Sequence, residues 1–229
     1  MKRTLGVLVS CLLLVSMFAG TASAPTFETL DNNKVFSDET IKKEKMDSWA
    51  KEEIMAAREA GLIPMLTDDP AYRDNITREQ FAELVVKTVE AITGSEAPAA
   101  GEDTFVDTAN ESVLKANKIG IITGRAAGGF DPKATATRQE IATMISRALD
   151  YIKAETGIDY APLADDDENF PDKESIASWA EAGVGRLAAN GIMAGKLDTI
   201  SGQTFAFPQA KCTVQESVIL LYRVYTNTL

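Results

Sequence analysis

The stretch GGFDPKATATRQEIATMISRAL, residues 128–149, decides the fold. At its centre Thr137 is followed three residues later by Glu140 and then by an apolar run. In that pattern hydroxyl and carboxylate each satisfy a backbone N–H that the first helical turn leaves without a partner. Ile141, Met144, Ile145, Ala148, Leu149 and Ile152 then recur at the three-and-four spacing of one buried helix face. Arg138 fits less well. It falls in the first turn, where the helix dipole favours negative charge and a cation costs roughly 0.3–1 kcal/mol.

The same frame recurs at intervals of about sixty to seventy-five residues. Phe36-Ser37-Asp38, Phe105-Val106-Asp107 and Phe170-Pro171-Asp172 each open a copy. A short Ala-rich helical stretch follows, closed by Gly61-Leu62-Ile63, Gly120-Ile121-Ile122 or Gly191-Ile192-Met193. Glycine there supplies the left-handed residue that ends a helix, and the apolar residue behind it packs back on the last turn. After a polar loop, a second helix starts at Thr77-Arg78-Glu79-Gln80, Thr137-Arg138-Gln139-Glu140 or Thr213-Val214-Gln215-Glu216.

The second helices carry Phe81, Leu84, Val85, Thr88 and Ile92 in the first copy and Val214, Val218, Leu221, Tyr222 and Tyr225 in the third. The leading helices are marked by Ile54, Ala57 and Gly61, by Val113, Ala116 and Gly120, and by Ile176, Ala180, Val184 and Leu187. One such helix–loop–helix unit cannot bury its own apolar face, so the copies share one core. The segments from Gly94 to Asp103 and from Thr156 to Asp167 read as connections. The run Asp165-Asp166-Asp167-Glu168 lacks the alternating spacing of a calcium loop and reads as solvated linker.

Bulk composition narrows function. Lys2 and Arg3, an apolar stretch from Leu5 to Phe18 and the small residues to Ala24 describe a secretory signal peptide over residues 1–24, cut at Ala24 or Ala22. The chain has 23 basic and 34 acidic residues. Removing Lys2 and Arg3 leaves 21 basic residues and a net charge of −13. Such a chain is repelled by nucleic acid and by anionic lipid, so neither is expected as a partner, and no membrane association is expected after processing. Only Cys212 remains, which rules out an intramolecular disulfide. With no histidine, Ser-His-Asp and Cys-His nucleophiles and the usual zinc sites are excluded. No catalytic residue, metal or cofactor is expected.

In order, these residues resemble the S-layer homology domain of bacterial surface proteins. The middle copy is nearest, with Phe105-x-Asp107, Ile119-Gly120-Ile121-Ile122-Thr123-Gly124, Gly129-Phe130-Asp131-Pro132 and Ala136-Thr137-Arg138-Gln139-Glu140. The first keeps Trp49-Ala50, Gly61-Leu62-Ile63 and Ile76-Thr77-Arg78-Glu79, and the third keeps Trp179-Ala180, Asn190-Gly191-Ile192-Met193-Ala194-Gly195 and Phe207-Pro208. The resemblance implies an all-α fold of three helix–loop–helix repeats in a pseudo-threefold bundle. Its repeats fall at 36–93, 105–155 and 170–229, within one compact domain over 25–229. It implies a secreted, non-catalytic module at the cell wall, whose grooves between repeats bind secondary cell-wall polysaccharide, often bearing pyruvate ketals. Contact with other surface proteins, by repeats that have lost ligand binding, is the alternative.

The arginine role falls on Arg78 and Arg138, beside the caps Thr77 and Thr137. An arginine fork next to free helix-start N–H groups suits a carboxylate. A plainer account pairs Arg78 with Asp74 and Arg138 with Asp131. Val214 stands where the third arginine belongs, and the middle copy lacks the tryptophan. Trp49 and Trp179 read as core or inter-repeat anchors ahead of sugar platforms. Gly124, Gly128 and Gly129 read as a loop whose amides approach a ligand. Cys212 reads as a partly buried neighbour of the third cap.

Overall fold

The computed structural model describes residues 46–125, 128–163 and 170–229, all within one compact unit, Asp38–Leu229. The expected signal peptide over 1–24, Phe36-Ser37-Asp38 and the Asp165–Glu168 run lie outside the described residues. The chain is all-α: α1 (Lys51–Glu59), α2 (Arg78–Thr93), α3 (Glu111–Lys118), α4 (Arg138–Thr156), α5 (Glu181–Ala189) and α6 (Val214–Thr226). Among the described residues one hairpin, β1 (Lys196–Leu197) with β2 (Thr204–Phe205), interrupts it in the third copy. The helical periodicity gave no sign of that hairpin.

The local signals produce the structures they encode. Thr77, Thr137 and Thr213 each form a full capping box, with Gln80, Glu140 and Glu216 reaching back to the cap N–H. Gly61, Gly120 and Gly191 are left-handed, at φ 70°, 78° and 67°. Behind them the N–H groups of Leu62, Ile121 and Ile192 close 2.9–3.0 Å bonds onto the carbonyls of Ala57, Ala116 and Leu187. The buried faces of α2 and α4 are those the spacing indicates. In α6 Val224 is buried and Tyr225 only partly so. Ile176 precedes α5, in extended backbone at the end of a short 3₁₀ turn.

Pseudo-threefold symmetry is visible in a ring of backbone hydrogen bonds at the centre. Ile76 N–H donates to the Cys212 carbonyl (2.9 Å), Cys212 N–H to Ala136 (3.0 Å) and Ala136 N–H to Ile76 (3.1 Å). All three residues are fully buried. Cys212 is thus completely buried rather than partly so, and burial together with the nearby Glu216 charge pushes its thiol up to about 12.

Packing runs between copies. α3 of the second copy lies on α2 of the first, α5 of the third on α4 of the second, and α1 of the first on α6 of the third. The ring therefore closes with the beginning of the described chain against its end. Gly183 in α5 allows a close approach, since a Cβ there would sit 3.1 Å from the Thr143 backbone of α4. Each leading helix covers its neighbour's apolar face, as units that cannot bury themselves must.

Candidate functional site

The helix starts are not free anion sites. The N–H groups of Arg78 and Glu79 donate to the carbonyls of Ala134 and Pro132 (2.9 and 3.1 Å). Those of Arg138 and Gln139 donate to Ala210 and Pro208 (2.9 and 3.1 Å), and those of Val214 and Gln215 to Asp74 and Tyr72 (2.9 and 2.8 Å). Each first turn is thus saturated by the loop of the following copy, with the cap threonine serving the third position. The expectation of free backbone donors beside the arginines fails, because assembly of the ring uses them.

Nor do the arginines pair with Asp74 and Asp131. Arg78 is buried and reaches into the second copy, donating from Nε to the Phe130 carbonyl (2.9 Å) and from Nη2 to the Thr123 carbonyl (3.0 Å). Its guanidinium lies 4.5 Å from the centre of the Phe130 ring. Burial, then the nearby Arg125 charge, pushes its pKa down from the usual arginine value. Arg138 does the same one copy on: buried, Nε to the Ala206 carbonyl (2.8 Å) and Nη1 3.5 Å from Glu216. The carbonyl each arginine holds belongs to a loop clamped from behind by the opening motif. Asp107 accepts from the N–H groups of Phe130 and Asp131 (2.8 and 2.7 Å), and those two bonds hold its carboxyl below the ordinary range. Asp172 accepts from Ala206 and Phe207 (2.9 and 2.8 Å). Asp131 and Phe207 are held left-handed there, at φ 62° and 48°.

The glycines also have structural reasons. A Cβ on Gly124 would sit 2.9 Å from the Phe105 ring, and one on Gly129 would sit 3.1 Å from Asp107 Oδ2. Their bare faces are filled by their own copy. Gly128 alone of the three is left-handed, at φ 80°.

Trp49 and Trp179 are not core anchors. They are 58% and 56% exposed. Trp49 lies on the rim of a groove of about 670 Å³ that draws on all three copies. Arg138 comes from the second, Gly195, Lys196, Leu197, Thr213 and Glu216 from the third. Lys196 ion-pairs with Glu216 Oε1, and Glu216 Oε2 accepts from its cap, Thr213 N–H, at 2.8 Å. Burial opposes ionisation of Glu216, but Lys196 and the Thr213 N–H outweigh it and hold the carboxyl below its ordinary pKa.

Equivalent hydrogen bonds place three such grooves. Two residues before Trp49, Asp47 N–H donates to Gln215 Oε1 (3.0 Å). Two before Trp179, Ala177 N–H donates to Gln139 Oε1 (3.0 Å). Thr108, which stands twelve residues before Gly120 as Trp49 and Trp179 stand before Gly61 and Gly191, donates from its hydroxyl to Glu79 Oε1 (2.9 Å). Trp179 therefore belongs with Arg78, Glu140 and Gly124-Arg125, and Arg125 Nη2 lies 3.6 Å from Glu140. Thr108, in the tryptophan's place, and its neighbour Asn110 belong with Val214 and with Met65-Leu66, which occupy the places of Gly124-Arg125 and Gly195-Lys196. Asn110 donates to Thr67 Oγ1 and Glu83 Oε1 (3.0 and 2.7 Å), and Val214, Met65, Leu66 and Thr67 line one groove. Two departures that look unrelated in sequence, Val214 and the missing tryptophan, thus meet in one place.

Arg125 and Lys196 are the most exposed cations of the first two grooves, with side chains 46% and 40% accessible, while Arg223, at 33%, is paired with Glu53. Sequence reasoning missed both. The signal was present, since each directly follows a glycine in the matching triplets Thr123-Gly124-Arg125 and Ala194-Gly195-Lys196.

Comparison with known proteins bears on the family of the chain. The family model described as S-layer homology domain matches residues 106–142 and 169–204. An endoglucanase of Bacillus sp. (strain KSM-635) is 30% identical over 203 residues, covering 86% of this chain and 20% of the endoglucanase. An amylopullulanase of Thermoanaerobacterium thermosulfurigenes and the exoglucanase XynX of Acetivibrio thermocellus are each 32% identical over 112 residues. Those matches cover 46% of this chain and 6% and 10% of the relatives. The chain spans a fifth or less of the length of these curated relatives. With repeated helix–loop–helix units closed into a pseudo-threefold ring and two segments matching the model, the chain belongs to the S-layer homology domain family.

Proposed function

We propose that the chain is a non-catalytic cell-surface module. Once exported, it holds secondary cell-wall polysaccharide bearing acidic, pyruvylated units in the Arg138 and Arg78 grooves, and so anchors to the cell wall. One observation carries the reading. A buried arginine, a half-exposed cation and an exposed tryptophan coincide in two of three equivalent grooves, and the residues at all three places are replaced together in the third, where the arginine in the lining, Arg58, is bonded to the Tyr72 hydroxyl. An exposed indole offers a flat apolar face to a sugar ring while its N–H remains a donor. The cation beside it supplies a charge-assisted bond for a carboxylate. Local cations matter because the chain as a whole is acidic, at −11.

The buried arginines form the floor of each groove and hold its shape, whereas Lys196 and Arg125 face outward. The test is co-sedimentation with purified walls before and after chemical removal of pyruvate, using wild type and the Lys196→Ala/Arg125→Ala double variant. Wild type is expected to pellet with intact walls and to stay in solution once pyruvate is removed. Equal pelleting of the double variant would overturn the site assignment. A second reading, contact with another surface protein, is favoured at the Val214 groove alone, where the apolar Ile63, Pro64, Met65, Leu66 and Pro70 stand beside Arg58 and Asp69. Concentration-dependent self-association of the Val214 face, with no retention by walls, would select it.

A further inference from the structure

Each leading helix packs on the second helix of the preceding copy, but the chain bridges two of these seams directly. Residues 94–110 lead from α2 into α3 and residues 157–180 from α4 into α5, whereas α6 and α1, which close the ring, are not consecutive. Both bridged seams are covered and pinned. Ala97 and Ala161, one from each connection, are buried. Beside them stand two buried cations, each five residues ahead of its helix-closing glycine. Lys115 Nζ lies 2.9–3.1 Å from Glu90, Glu96 and Glu111, and the Ala97 N–H donates to the same Glu90 oxygen. Arg186 donates to the Ala161 and Ser146 carbonyls (2.6 and 2.9 Å) and to Asp150 (2.6 Å).

The seam of α1 with α6 is built differently. Ala56 stands where Lys115 and Arg186 stand in their copies, and with Met55 it lines an open hollow of about 450 Å³ along α1. Leu114, the counterpart of Met55, is buried, and its carbonyl accepts from Ala100 of the first connection (3.1 Å). Strong polar ties cross the seam at the groove instead. Glu53 grips Arg223 through two bonds (2.7 and 2.9 Å), and Asp47 and Gln215 exchange two more (3.0 and 2.7 Å). Asp47, Gln215 and Arg223 line the Arg138 groove, with Trp49 on its rim. The seam is fastened along the groove and hollow away from it. The central ring of bonds through Ile76, Ala136 and Cys212 uses no residue of α1, nor do the bonds from Val214 and Gln215 to Asp74 and Tyr72.

We propose that the seam of α1 with α6 is the point where the ring opens, and that a ligand in the Arg138 groove latches it shut. In the open form α1 swings away with Trp49 while the central bonds hold the rest of the ring together. A ligand that touches Trp49 on one side and Lys196 on the other binds the closed form alone, so occupancy and closure reinforce each other. The Arg78 groove has no such gate, because its Trp179 precedes α5, which Arg186 pins to α4. The latch rests on the reading of the Arg138 groove as a glycan site. The opening itself rests on the seams alone.

The experiment is native-state hydrogen exchange of the full chain, free and with purified wall polysaccharide, with the Trp49 and Trp179 indole signals reporting occupancy. In the free chain the interior amides of α1 are expected to exchange roughly tenfold or more faster than those of α3 and α5, since they need a local opening and not global unfolding. Polysaccharide at about a hundred times the Kd read at Trp49 should slow α1 about a hundredfold. Lys115→Met separates local from global opening. Lys115 keeps its partners when α1 swings out, so the variant should speed exchange in α3 and α5 and leave α1 at its wild-type rate. Equal exchange in α1, α3 and α5 of the free wild type, or a Lys115→Met variant that speeds α1 as much as α3, refutes the opening. Should that variant misfold, the wild-type comparison decides by itself. If Trp49 titrates while exchange in α1 stays unchanged, the latch is refuted and the glycan reading stands. If neither indole responds to polysaccharide, the glycan reading fails and the latch with it.

Discussion

Replacing Arg138 by alanine removes a buried side chain that ties the second copy to the third. Its Nε–H bond to the Ala206 carbonyl, 2.8 Å long, is lost inside the protein, where a carbonyl left without a donor costs about 1–3 kcal/mol. Glu216 loses its buried cation, 3.5 Å away, but keeps the closer Lys196, which limits that part of the penalty to about 1 kcal/mol. The sum, roughly 3 kcal/mol, corresponds to a fall in Tm of about 6–12 °C for a chain of this size. Urea melts followed by far-UV circular dichroism give the free energy directly. A loss below about 0.5 kcal/mol, the range of an unconstrained surface residue, would refute the view that this arginine is an inter-repeat tie. The consequence for function is practical. Loss of wall binding in Arg138→Ala is ambiguous, and the exposed Lys196 and Arg125 are the cleaner probes of ligand contact.

Four further outcomes follow from the geometry. Val214→Arg alone is expected not to create wall binding in a chain already disabled at Lys196 and Arg125, because Thr108 and Leu66 still replace the tryptophan and the outward cation; pelleting assays check this. Gly124→Ala should destabilise by about 1–3 kcal/mol through its clash with Phe105, against about 1 kcal/mol for Gly61→Ala, which meets no atom within 4 Å but must hold φ 70°. Asp107 and Glu216 both have folded-state pKa values below their unfolded ones. Their stabilisation is therefore complete above about pH 4.5 and disappears as pH falls through the lowered folded values. Asp107→Asn should flatten that acid limb in a pH series of urea midpoints. Cys212, with its thiol pushed up to about 12, should resist iodoacetamide at pH 8 in the folded chain and react at the rate of global unfolding.

What the sequence disclosed and what it hid divide along a physical line. Capping boxes, helix-closing glycines and buried helix faces are encoded within a few residues, and each was legible in a single copy. The grooves were not, because each takes its tryptophan, its buried arginine and its outward cation from three different copies. Reading copy by copy therefore placed Val214 in the third and the missing tryptophan in the second, as though they were separate defects. The arginines could be identified as needing a reason beyond the helix start, yet the reason visible in the fold is a carbonyl in the next copy. The tryptophans were misplaced for a related cause. A large aromatic at the start of an Ala-rich helix ordinarily anchors it, and only the ring geometry turns these two outward. The hairpin at Lys196–Leu197 is short enough that no alternation could announce it.

The central claim is that two grooves bind wall polysaccharide and the third does not. The most direct measurement is a titration of the isotopically labelled chain with purified wall polysaccharide, observed by ¹H–¹⁵N correlation NMR at the indole N–H groups of Trp49 and Trp179 and the side-chain amide of Asn110. The account predicts that both indole signals shift or broaden with added polysaccharide while the Asn110 signal stays in place. Movement at Asn110 with both indoles unchanged would contradict it.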